Sequence, residues 1–248
     1  MIRFTSAKRN IPPRLKVVVG DLTDAYSVFH AVKITKPDAV FHLGAITPVS
    51  ESFTQPRLYT ETNYIGTIHL ANACMKHCEN LKLFAFASTT EVYGNQTKTP
   101  FTEETEPKPN TPYAISKYAA ELYLREYLHK AYDFPVVVLR PSNTYGRALV
   151  NQPHFVVEKI IVTTLLKVDE IHLGQPDIIR DFMFREDHVN AYLKVLETVE
   201  EGKNIYGEVF TFGTGKPTTI NELANIVAKI TEWNGEIKWH IGHYRPVD

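Results

Sequence analysis

Short, continuously apolar runs alternate along this chain with longer amphipathic segments. The runs are rich in β-branched and aromatic residues and read "LKVVV" (15–19), "DAVFHL" (38–43), "LKLFAFAS" (81–88) and "FPVVVLR" (134–140). Helical spacing of apolar residues marks "DAYSVFHAVKIT", the stretch 56–77 and the stretch that follows Tyr113. Buried strands that alternate with amphipathic helices are typical of a parallel sheet with helices on both faces. We therefore predict an α/β fold built on a doubly wound parallel sheet.

The alternation loosens after Arg140. The pattern there predicts a helix near 155–166, a short strand near 171–173, a helix over 186–197, the strand "GEVFTFG" and a last helix in "TTINELANIVAKI". Thr219 and Glu222 have the spacing of a capping box at the start of that last helix. These elements predict a second, smaller C-terminal lobe.

The predicted strands end in unusually polar sequences, which are "GDLTD", "HLGAIT", "STTEVYG" and "RPSNTYG". In open parallel sheets, ligands bind outside the carboxyl ends of the strands. A loop often carries such residues only because it is solvated. Four polar ends along one edge nevertheless indicate a binding crevice.

Tyr113 and Lys117 lie four residues apart in "TPYAISKYAAE", so they share one face of a helix. A lysine ammonium one turn away favours the phenolate and lowers the pKa of the phenol. A lowered pKa suits a general base that works near neutral pH. Such a pair also occurs by chance on many helices, so the pair alone leaves both interpretations open.

Composition and charge exclude several classes of partner. The 248 residues are 44% hydrophobic, enough for the substantial core of one large domain or two small ones. The formal net charge of -1 gives no electrostatic footprint for nucleic acid or for an anionic membrane. No apolar run approaches the length of a membrane span, and "MIRFTSAKRN" is not typical of a signal peptide.

Cys74 and Cys78 are the two cysteines of the chain. They predict no disulfide framework and a reducing compartment, the cytoplasm. With His77 they form "CMKHC", which offers too few ligands for a closed structural metal site. Their position inside an amphipathic helix favours core packing, and we expect no metal.

The ordered set of motifs resembles the extended short-chain dehydrogenase/reductases, in particular the NAD-dependent epimerases and dehydratases of nucleotide sugars. The motifs are "GDLTD", "HLGA", "NYIGT", "STTEVYG", "YAISK", "RPSNTYG", "IIRDF", "FGTGKPTTINEL" and "RPVD", and they cover nearly the whole chain. Each motif is weak alone, whereas the ordered set is specific. The resemblance implies an incomplete Rossmann-like NAD-binding domain over 1–148 with about 181–208. It implies a truncated substrate-binding lobe over about 149–180 and 209–248.

The resemblance also implies roles for the Tyr113–Lys117 pair. Tyr113 would take the proton from the 4-hydroxyl of a nucleotide-diphosphate sugar while NAD accepts a hydride from C4. Lys117 would hold the phenolate and bond the nicotinamide ribose. Thr89 matches the family's Ser/Thr that hydrogen-bonds the same 4-oxygen.

Further binding residues follow from the matched motifs. On the cofactor side they are Asp21 and Leu22 at the adenine, Leu43, Gly44 and Ala45 along the pyrophosphate and ribose, Asn63 as a support, and Pro141 and Ser142 at the nicotinamide. On the sugar-nucleotide side they are Asn143 at a phosphate, His154 and Phe155 in "PHFVVEKII", Arg180 and Arg245 clamping the diphosphate, and Asp248 near the nucleoside. The planar fork of arginine donors suits a diphosphate. Members of this family commonly form homodimers, here through the helices near 56–77 and 112–132.

The family's glycine-rich phosphate loop should precede "GDLTD", and "MIRFTSAKRNIPPRLK" does not contain it. The backbone amides of that loop and the following helix N-terminus hold the pyrophosphate, so we expect this chain by itself to bind NAD weakly. In the usual strand order the strands around the loop lie between 15–19 and 38–43. The strand over 15–19 should therefore pair elsewhere or remain loose, and the sheet should present an unpaired edge. A fragment of a longer product and a natural short form both fit this pattern.

The exact reaction depends on "STTEVYG". Glu91 stands where 4,6-dehydratases carry the base that removes the C5 proton, and Thr90 stands where the dTDP-glucose type has an aspartic acid. UDP-glucuronate decarboxylases have a similar run, and a 4-epimerase needs neither group. "PHFVVEKII" and "RDFMFREDHV" favour the 4,6-dehydratase, with 4-epimerase or decarboxylase as alternatives. A non-catalytic binding or regulatory protein on the same fold is the alternative of another class.

Overall fold

The computed structural model describes residues 14–146 and 155–240. Its helices are α1 Ala25–Thr35, α2 Val49–Ser52, α3 Pro56–Tyr59, α4 Gly66–His77, α5 Pro112–Leu122, α6 Lys130–Tyr132, α7 Val156–Leu165, α8 Arg185–Glu200 and α9 Ile220–Ile230. Its strands are β1 Ala39–His42, β2 Leu83–Ala87, β3 Val136–Pro141, β4 Asn143–Tyr145, β5 Glu170–Leu173, β6 Ile179–Arg180, β7 Phe182–Phe184, β8 Val209–Phe212, β9 Thr218–Thr219 and β10 Glu236–Trp239. Within those two stretches of chain, no helix has the length and hydropathy that crossing a membrane requires.

The long helix predicted over 56–77 is continuous but not uniform. A π-helical segment, Thr60–Ile65, joins α3 to α4, and a second one, Tyr123–His129, joins α5 to α6. A π-helical turn shifts the side chains that follow it around the helix axis, and such turns are frequent at functional sites. The first segment carries Asn63, a residue predicted to support a cofactor.

The central sheet has four parallel strands in the order β1-β2-β3-β8. Phe84 of β2 pairs with Val40 on one side and Val136 on the other, and Val138 of β3 pairs with Val209. Helices connect the strands, as parallel pairing requires. The predicted α/β fold with a parallel sheet is confirmed.

Both faces of the sheet are covered because side chains alternate along each strand. Phe84 and Phe86 face a core cluster formed with α1, α4, α5 and the π-helical segment after it. Leu83 and Ala85 face the other side, where they pack with Tyr192 and other residues of α8. Continuous apolar sequence in β2 and β3 is thus the consequence of burial on both faces, and the sheet is doubly wound.

A second core cluster lies in the C-terminal part of the chain, where α7 and α9 pack on the parallel pair β5 and β10. The capping box predicted at the start of α9 is present: Thr219 accepts from the amide of Glu222 at 3.0 Å, and the Glu222 carboxylate accepts from the amide of Thr219 at 2.8 Å. The Trp233 indole donates to the carbonyl of Val168 at 2.6 Å and ties the end of α9 to the start of β5. This cluster is the smaller lobe, while the predicted domain boundaries stay a prediction.

The buried strand predicted over 15–19 is wrong. Residues 15–18 form no strand, Val19 makes an isolated bridge, and the side chains of Leu15, Val17 and Val19 are 56%, 42% and 46% exposed. An apolar run becomes a buried strand only when a neighbouring strand and a covering helix are present. In the described residues, the sheet ends at β1, which agrees with the expected unpaired edge.

Two of the strand pairings that were not predicted are very short. The strands β4 and β7 pair in parallel over three residues each, and β6 and β9 pair antiparallel over two. Runs of two or three residues carry too little periodicity to be recognised in a sequence. They bring β4, which follows β3, beside β7, and β6 beside β9.

The prediction of core packing for "CMKHC" is confirmed. Cys74 is fully buried in the cluster that contains Phe84, and Cys78 is half-buried against it. Burial raises the pKa of both thiols, so they are protonated near neutral pH. Such thiols are poor nucleophiles and serve here as small apolar side chains.

Candidate active site

Thr89 and Tyr113 meet at the carboxyl end of β2. Thr89 follows that strand, and its hydroxyl accepts from the amide of Glu91 at 3.2 Å, which begins a 3₁₀ turn, Thr90–Tyr93. Tyr113 lies in the first turn of α5, which is fixed by Pro112 and by Thr111, whose hydroxyl accepts from the amide of Ala114 at 3.0 Å. Both side chains are 7% exposed, and the neighbouring Thr89 acts to lower the pKa of Tyr113. The convergence of Thr89, Tyr113 and Lys117 on one ligand oxygen stays a prediction, as does their catalytic role.

The expectation that Lys117 sets a low pKa for Tyr113 is wrong in this structure. Burial is the dominant cause, and it raises the pKa of the Tyr113 phenol. The interaction with Thr89 lowers that pKa, whereas the charge of Glu91 and the nearby phenol of Tyr59 raise it further. Desolvation opposes the charged form more strongly than neighbouring donors favour it, so the phenol is protonated at neutral pH.

Lys117 is itself buried, with 2% of its surface exposed, and its ammonium nitrogen lies 4.3 Å from the centre of the Phe86 ring. Burial lowers the pKa of Lys117 to about 7, although the charge of Glu121 raises it in part. The side chain therefore changes charge near neutral pH, which a surface lysine does not do. Sequence spacing identified this residue, but only its surroundings determine its charge.

Asn63 anchors the loop that follows β1. Its side-chain oxygen accepts from the amide of Ile46 at 2.8 Å, and its side-chain nitrogen donates to the carbonyl of Ile46 at 3.0 Å and to the hydroxyl of Ser116 at 3.1 Å. Ser116 in turn donates to the carbonyl of Tyr113 at 2.7 Å. The π-helical segment Thr60–Ile65 carries the fully buried Asn63 to this position. A residue predicted to support a cofactor thus links the crevice loop to the helix that bears Tyr113.

The loop after β1 and the "GDLTD" segment lie against each other. A Cβ atom on Gly44 would lie 2.9 Å from the Cδ1 atom of Leu22, and one on Gly66 would lie 2.7 Å from the Cβ atom of Leu22. Asp21 accepts from the amide and the hydroxyl of Thr23 at 3.0 and 2.9 Å. The exposed Leu43 and the half-buried Ala45 flank Gly44. The structure therefore brings together the predicted cofactor residues of these two segments.

The opposite side of the crevice is formed where β3 meets β4. Pro141 ends β3, and Ser142 donates its amide to the carbonyl of Phe212 at 2.9 Å. The Ser142 hydroxyl is buried and has no hydrogen-bond partner among the described residues. Asn143 is exposed and donates its amide to the carbonyl of Asp181 at 3.0 Å. A buried hydroxyl without a partner is a natural contact for a ligand.

The predicted substrate residues are only partly within the described chain. Phe155 is half exposed just before α7, and Arg180 lies in β6, where it donates to the carbonyl of Ile179 at 2.9 Å. His154, Arg245 and Asp248 lie outside the described residues. The approach of Arg180 and Arg245 across the crevice therefore stays a prediction.

Sequence reasoning missed Asp181, which organises the loop after β8. Its carboxylate accepts from the amide and the hydroxyl of Thr214 at 3.0 and 2.6 Å and from the amide of Gly215 at 2.8 Å. Gly215 has a positive φ of 72°, a conformation that glycine adopts without strain. The sequence shows Asp181 in "IIRDF" and Gly215 in "FGTGKP". Nothing in the sequence indicates that these two segments meet.

Sequence reasoning also missed a buried ion pair below the site. Glu121 and Arg140 are 0% and 2% exposed, and their closest contact joins Nη2 of Arg140 to Oε2 of Glu121 at 2.6 Å. The pair joins α5 to the end of β3. It lies one helical turn beyond Lys117.

His42, at the end of β1, is a buried neutral group beside the site. Its Nε2 atom lies 2.9 Å from the hydroxyl of Thr67, and that hydroxyl already donates to the carbonyl of Asn63 at 2.6 Å, so Nε2 is the donor. Burial, together with the charge of Lys117, lowers the pKa of His42 to about 3.

The buried His42 should make the protein sensitive to acid. Because its folded-state pKa lies below the unfolded value of about 6.5, the unfolded chain binds an extra proton between those two values, and stability falls as pH falls through that window. At about 1.4 kcal/mol per pKa unit, this one group costs several kcal/mol by about pH 3. Urea unfolding at pH 7 and at pH 4 should show a smaller loss of stability for His42→Gln than for the wild type. The matched control is His30→Gln at an exposed position. An equal loss of stability between pH 7 and pH 4 in the wild type and in both variants would show that His42 is not the acid-sensitive group.

Three comparisons with known proteins found similar sequences and structures. A family model described as GDP-mannose 4,6 dehydratase matches residues 3–245. The dTDP-D-glucose 4,6-dehydratase of Mus musculus is 33% identical over 244 residues, which cover 94% of this chain and 64% of that protein. This chain thus spans less than two thirds of the length of that relative.

Two solved structures are similar over almost all of this chain. UDP-glucose 4-epimerase from Thermotoga maritima, solved with UDP-glucose, has a TM-score of 0.89 and 29% identity, over 98% of this chain and 77% of that one. UDP-glucose 4-epimerase from Thermus thermophilus, solved in complex with NAD, has a TM-score of 0.86 and 27% identity, over 99% of this chain and 78% of that one.

Proposed function

This chain belongs to the NAD-dependent epimerase and dehydratase family of the extended short-chain dehydrogenase/reductases, and from that premise we propose that it acts as an NAD-dependent nucleotide-sugar 4,6-dehydratase. The observation that carries the proposal is the packing of α5, which carries the buried Tyr113, against the 3₁₀ turn that Thr89 caps and that carries Glu91. A hydroxyl pair with an adjacent carboxylate supplies the acid–base groups for work at two neighbouring carbons of a sugar.

Two groups of residues would hold NAD. The contact of Leu22 with Gly44 forms one end, and the buried hydroxyl of Ser142, which lacks a partner in the described residues, forms the other. Asp21, Leu43 and Ala45 would hold the adenine half, and Pro141, Ser142 and Lys117 the nicotinamide half. When bound, NAD supplies a hydride acceptor and a positively charged nicotinamide ring. The expected weak binding of NAD by this chain alone stays a prediction.

Side chains of the protein carry out the proton transfer. Tyr113 takes the proton of the sugar 4-hydroxyl, and Thr89 donates a hydrogen bond to the same oxygen. Burial opposes the phenolate, so a nearby positive charge has to stabilise it. We propose that Lys117, which lies on the same helix face, supplies that charge during the reaction when it is protonated, although it is not among the groups that set the pKa of Tyr113 in this structure. The product of this first step is a 4-keto sugar.

Glu91 makes the difference between dehydration and simple epimerisation. A 4-keto group acidifies the proton at C5, and we propose that the Glu91 carboxylate removes it. Thr90, the first residue of the 3₁₀ turn, offers a hydroxyl beside the departing 6-hydroxyl. The likeness to UDP-glucose 4-epimerases supports 4-epimerase as the second candidate, for which Glu91 is dispensable.

The substrate is a nucleotide-diphosphate sugar, bound by Asn143, Phe155 and Arg180, with His154, Arg245 and Asp248 proposed from sequence. We propose a homodimer through the helices near 56–77 and 112–132, because apolar side chains on both of them are exposed in the single chain, among them Ile65, Ile115 and Leu122. We place the activity in the cytoplasm.

Replacing Glu91 with glutamine tests the reaction class. With NAD and UDP-, dTDP- or GDP-linked hexoses, proton NMR should detect a 4-keto-6-deoxy sugar from the wild type. Glu91→Gln should form it at least about a hundredfold more slowly, because general base help is lost. The matched control is Glu106→Gln, which removes an exposed carboxylate paired with Lys108 at 3.1 Å. Undiminished dehydration by Glu91→Gln would overturn the role of Glu91, and a wild type that only inverts C4 would favour the epimerase.

A further inference from the structure

The carboxylate of Asp181, a residue between β6 and β7, is bound by the backbone of a loop that lies far along the chain. Its Oδ1 atom accepts from the amide of Thr214 at 3.0 Å and from the Thr214 hydroxyl at 2.6 Å, and its Oδ2 atom accepts from the amide of Gly215 at 2.8 Å. Successive backbone amides that point to one centre form an anion-binding concavity. Here the anion is a side chain of the protein itself.

The loop that binds this carboxylate, residues 213–217 between β8 and β9, is shaped to fit it. Gly215 has a positive φ of 72°, which glycine adopts without strain. A Cβ atom on Gly213 would lie 2.4 Å from Oδ2 of Asp181, so that position has room only for glycine. The Thr214 hydroxyl, which donates to Asp181, also accepts from the amide of Lys216 at 3.2 Å. We call residues 213–217 the β8–β9 loop.

The same two segments also contact Ser142 and Asn143. The carbonyl of Asp181 accepts from the amide of Asn143 at 3.0 Å, and the carbonyl of Phe212, just before the β8–β9 loop, accepts from the amide of Ser142 at 2.9 Å. A Cβ atom on Gly213 would lie 2.9 Å from the hydroxyl oxygen of Ser142, so that buried hydroxyl lies directly against the loop. The positions of Ser142 and Asn143 therefore depend on how Asp181 and the β8–β9 loop are held.

The strand pairings around Asp181 are too short to hold these segments firmly. In one of them Arg180 of β6 lies opposite Thr218 of β9, and in the other Asn143 of β4 lies opposite Phe182 of β7. Pairs of short strands have little stability by themselves. Hydrogen bonds to a charged acceptor are stronger than those between neutral groups, so the carboxylate of Asp181 reinforces the junction between the two pairings.

We propose that Asp181 is a positioning residue: its carboxylate anchors the β8–β9 loop to the junction of β6 and β7 and thereby holds Ser142 and Asn143 in place for ligand binding. The proposal rests on the proposed function, in which Ser142 lies at the nicotinamide and Asn143 at the nucleotide sugar. Asp181 itself touches neither ligand in this account, because its carboxylate oxygens are occupied by Thr214 and Gly215.

Amide hydrogen exchange followed by NMR tests the proposal without any ligand. Asp181→Ala removes the acceptors of the Thr214 and Gly215 amides, so exchange at both should become at least about tenfold faster, as in a segment that opens locally. Exchange at Ser142 and Asn143 should accelerate with them, because their anchor is lost. Unchanged exchange at Ser142 and Asn143 in this variant would overturn the positioning role.

Two further variants make the exchange experiment decisive. Asp181→Asn is the milder change and serves where Asp181→Ala does not fold: it keeps one acceptor oxygen, so one of the Thr214 and Gly215 amides should stay protected while the other exchanges faster. The matched control is Asp177→Ala, which removes an exposed carboxylate from the turn before β6 and should leave exchange as in the wild type. Full protection of both amides in Asp181→Asn would contradict the proposal.

Calorimetry with UDP, dTDP and GDP as probes measures the consequence for binding. Asp181→Ala should bind the preferred nucleotide at least about tenfold more weakly, because side chains that are fixed in the wild type have to be ordered on binding. A role in stability alone would reduce the fraction of competent protein and leave the Kd of the remainder unchanged. An equal Kd in Asp181→Ala and the wild type would therefore refute the positioning role.

Turnover separates this proposal from the proposed function. If the wild type forms the 4-keto sugar, the KM for the nucleotide sugar should rise in Asp181→Ala by more than kcat falls, since the residues that move are binding residues. A wild type that binds no nucleotide or forms no product, but whose Ser142 and Asn143 amides lose protection in Asp181→Ala, would refute the dehydratase and leave the anchor standing. Product formation with an unchanged KM in Asp181→Ala would refute the positioning role alone.

Discussion

Tyr113→Phe should reduce turnover of the nucleotide sugar by at least about a hundredfold, the usual scale for losing general acid–base help. The ring of Tyr113 is buried and packs edge-on against Tyr59 at 6.3 Å between ring centres. Phenylalanine fills the same space, so the fold should be retained. What disappears is the hydroxyl group that meets Thr89 and that would take the proton from the sugar.

The measurement is kcat at saturating NAD and sugar, together with the KM for the sugar. Because the phenol acts in the proton transfer rather than in binding, kcat should fall while KM changes little. Tyr118→Phe, on the same helix but half exposed, is the matched control and should behave as the wild type. Equal turnover in Tyr113→Phe and the wild type would remove Tyr113 from the catalytic groups.

Arg140→Met should lower the free energy of unfolding by about 3–5 kcal/mol, the scale for removing one partner of a buried ion pair. The substitution leaves the carboxylate of Glu121 buried with the hydroxyl of Ser88 as its remaining hydrogen-bond donor among the described residues. It also removes the donor to Tyr93. Since a domain has about 5–15 kcal/mol of stability in total, this loss is a large fraction of it.

Urea denaturation provides the measurement, with the midpoint shift read at an unchanged m value. Lys130→Met breaks the exposed pair with Glu126 and should cost less than about 1 kcal/mol. The double variant Glu121→Leu/Arg140→Met removes both charges and should recover much of the loss, because a buried pair is often replaceable by apolar groups. A cost for Arg140→Met as small as that of Lys130→Met would show that the pair is not buried in solution.

A structural feature could be predicted from the sequence when all the residues that determine it lie in one short segment. The strands β2 and β3 were predicted because their runs are apolar at almost every position, which is what burial on both faces requires. The start of α9 was predicted because Thr219 and Glu222 carry both halves of the capping box. The shared face of Tyr113 and Lys117 follows from helix geometry alone. The family, too, was recognisable from the order of short motifs.

Tertiary structure decided whatever depends on partners distant in sequence. Residues 15–19 have the composition of a strand, yet they are exposed because β-structure requires a neighbouring strand that local sequence does not reveal. Glu121 and Arg140 are 19 residues apart, and each alone looks like a surface charge until the fold buries both. The pKa of Tyr113 is raised rather than lowered because desolvation depends on everything packed around the phenol. Sequence determined which groups share a helix face or a strand end. Three-dimensional packing determined which of them are buried, paired and charged. Burial and electrostatic interaction depend on distance in space and not on distance along the chain.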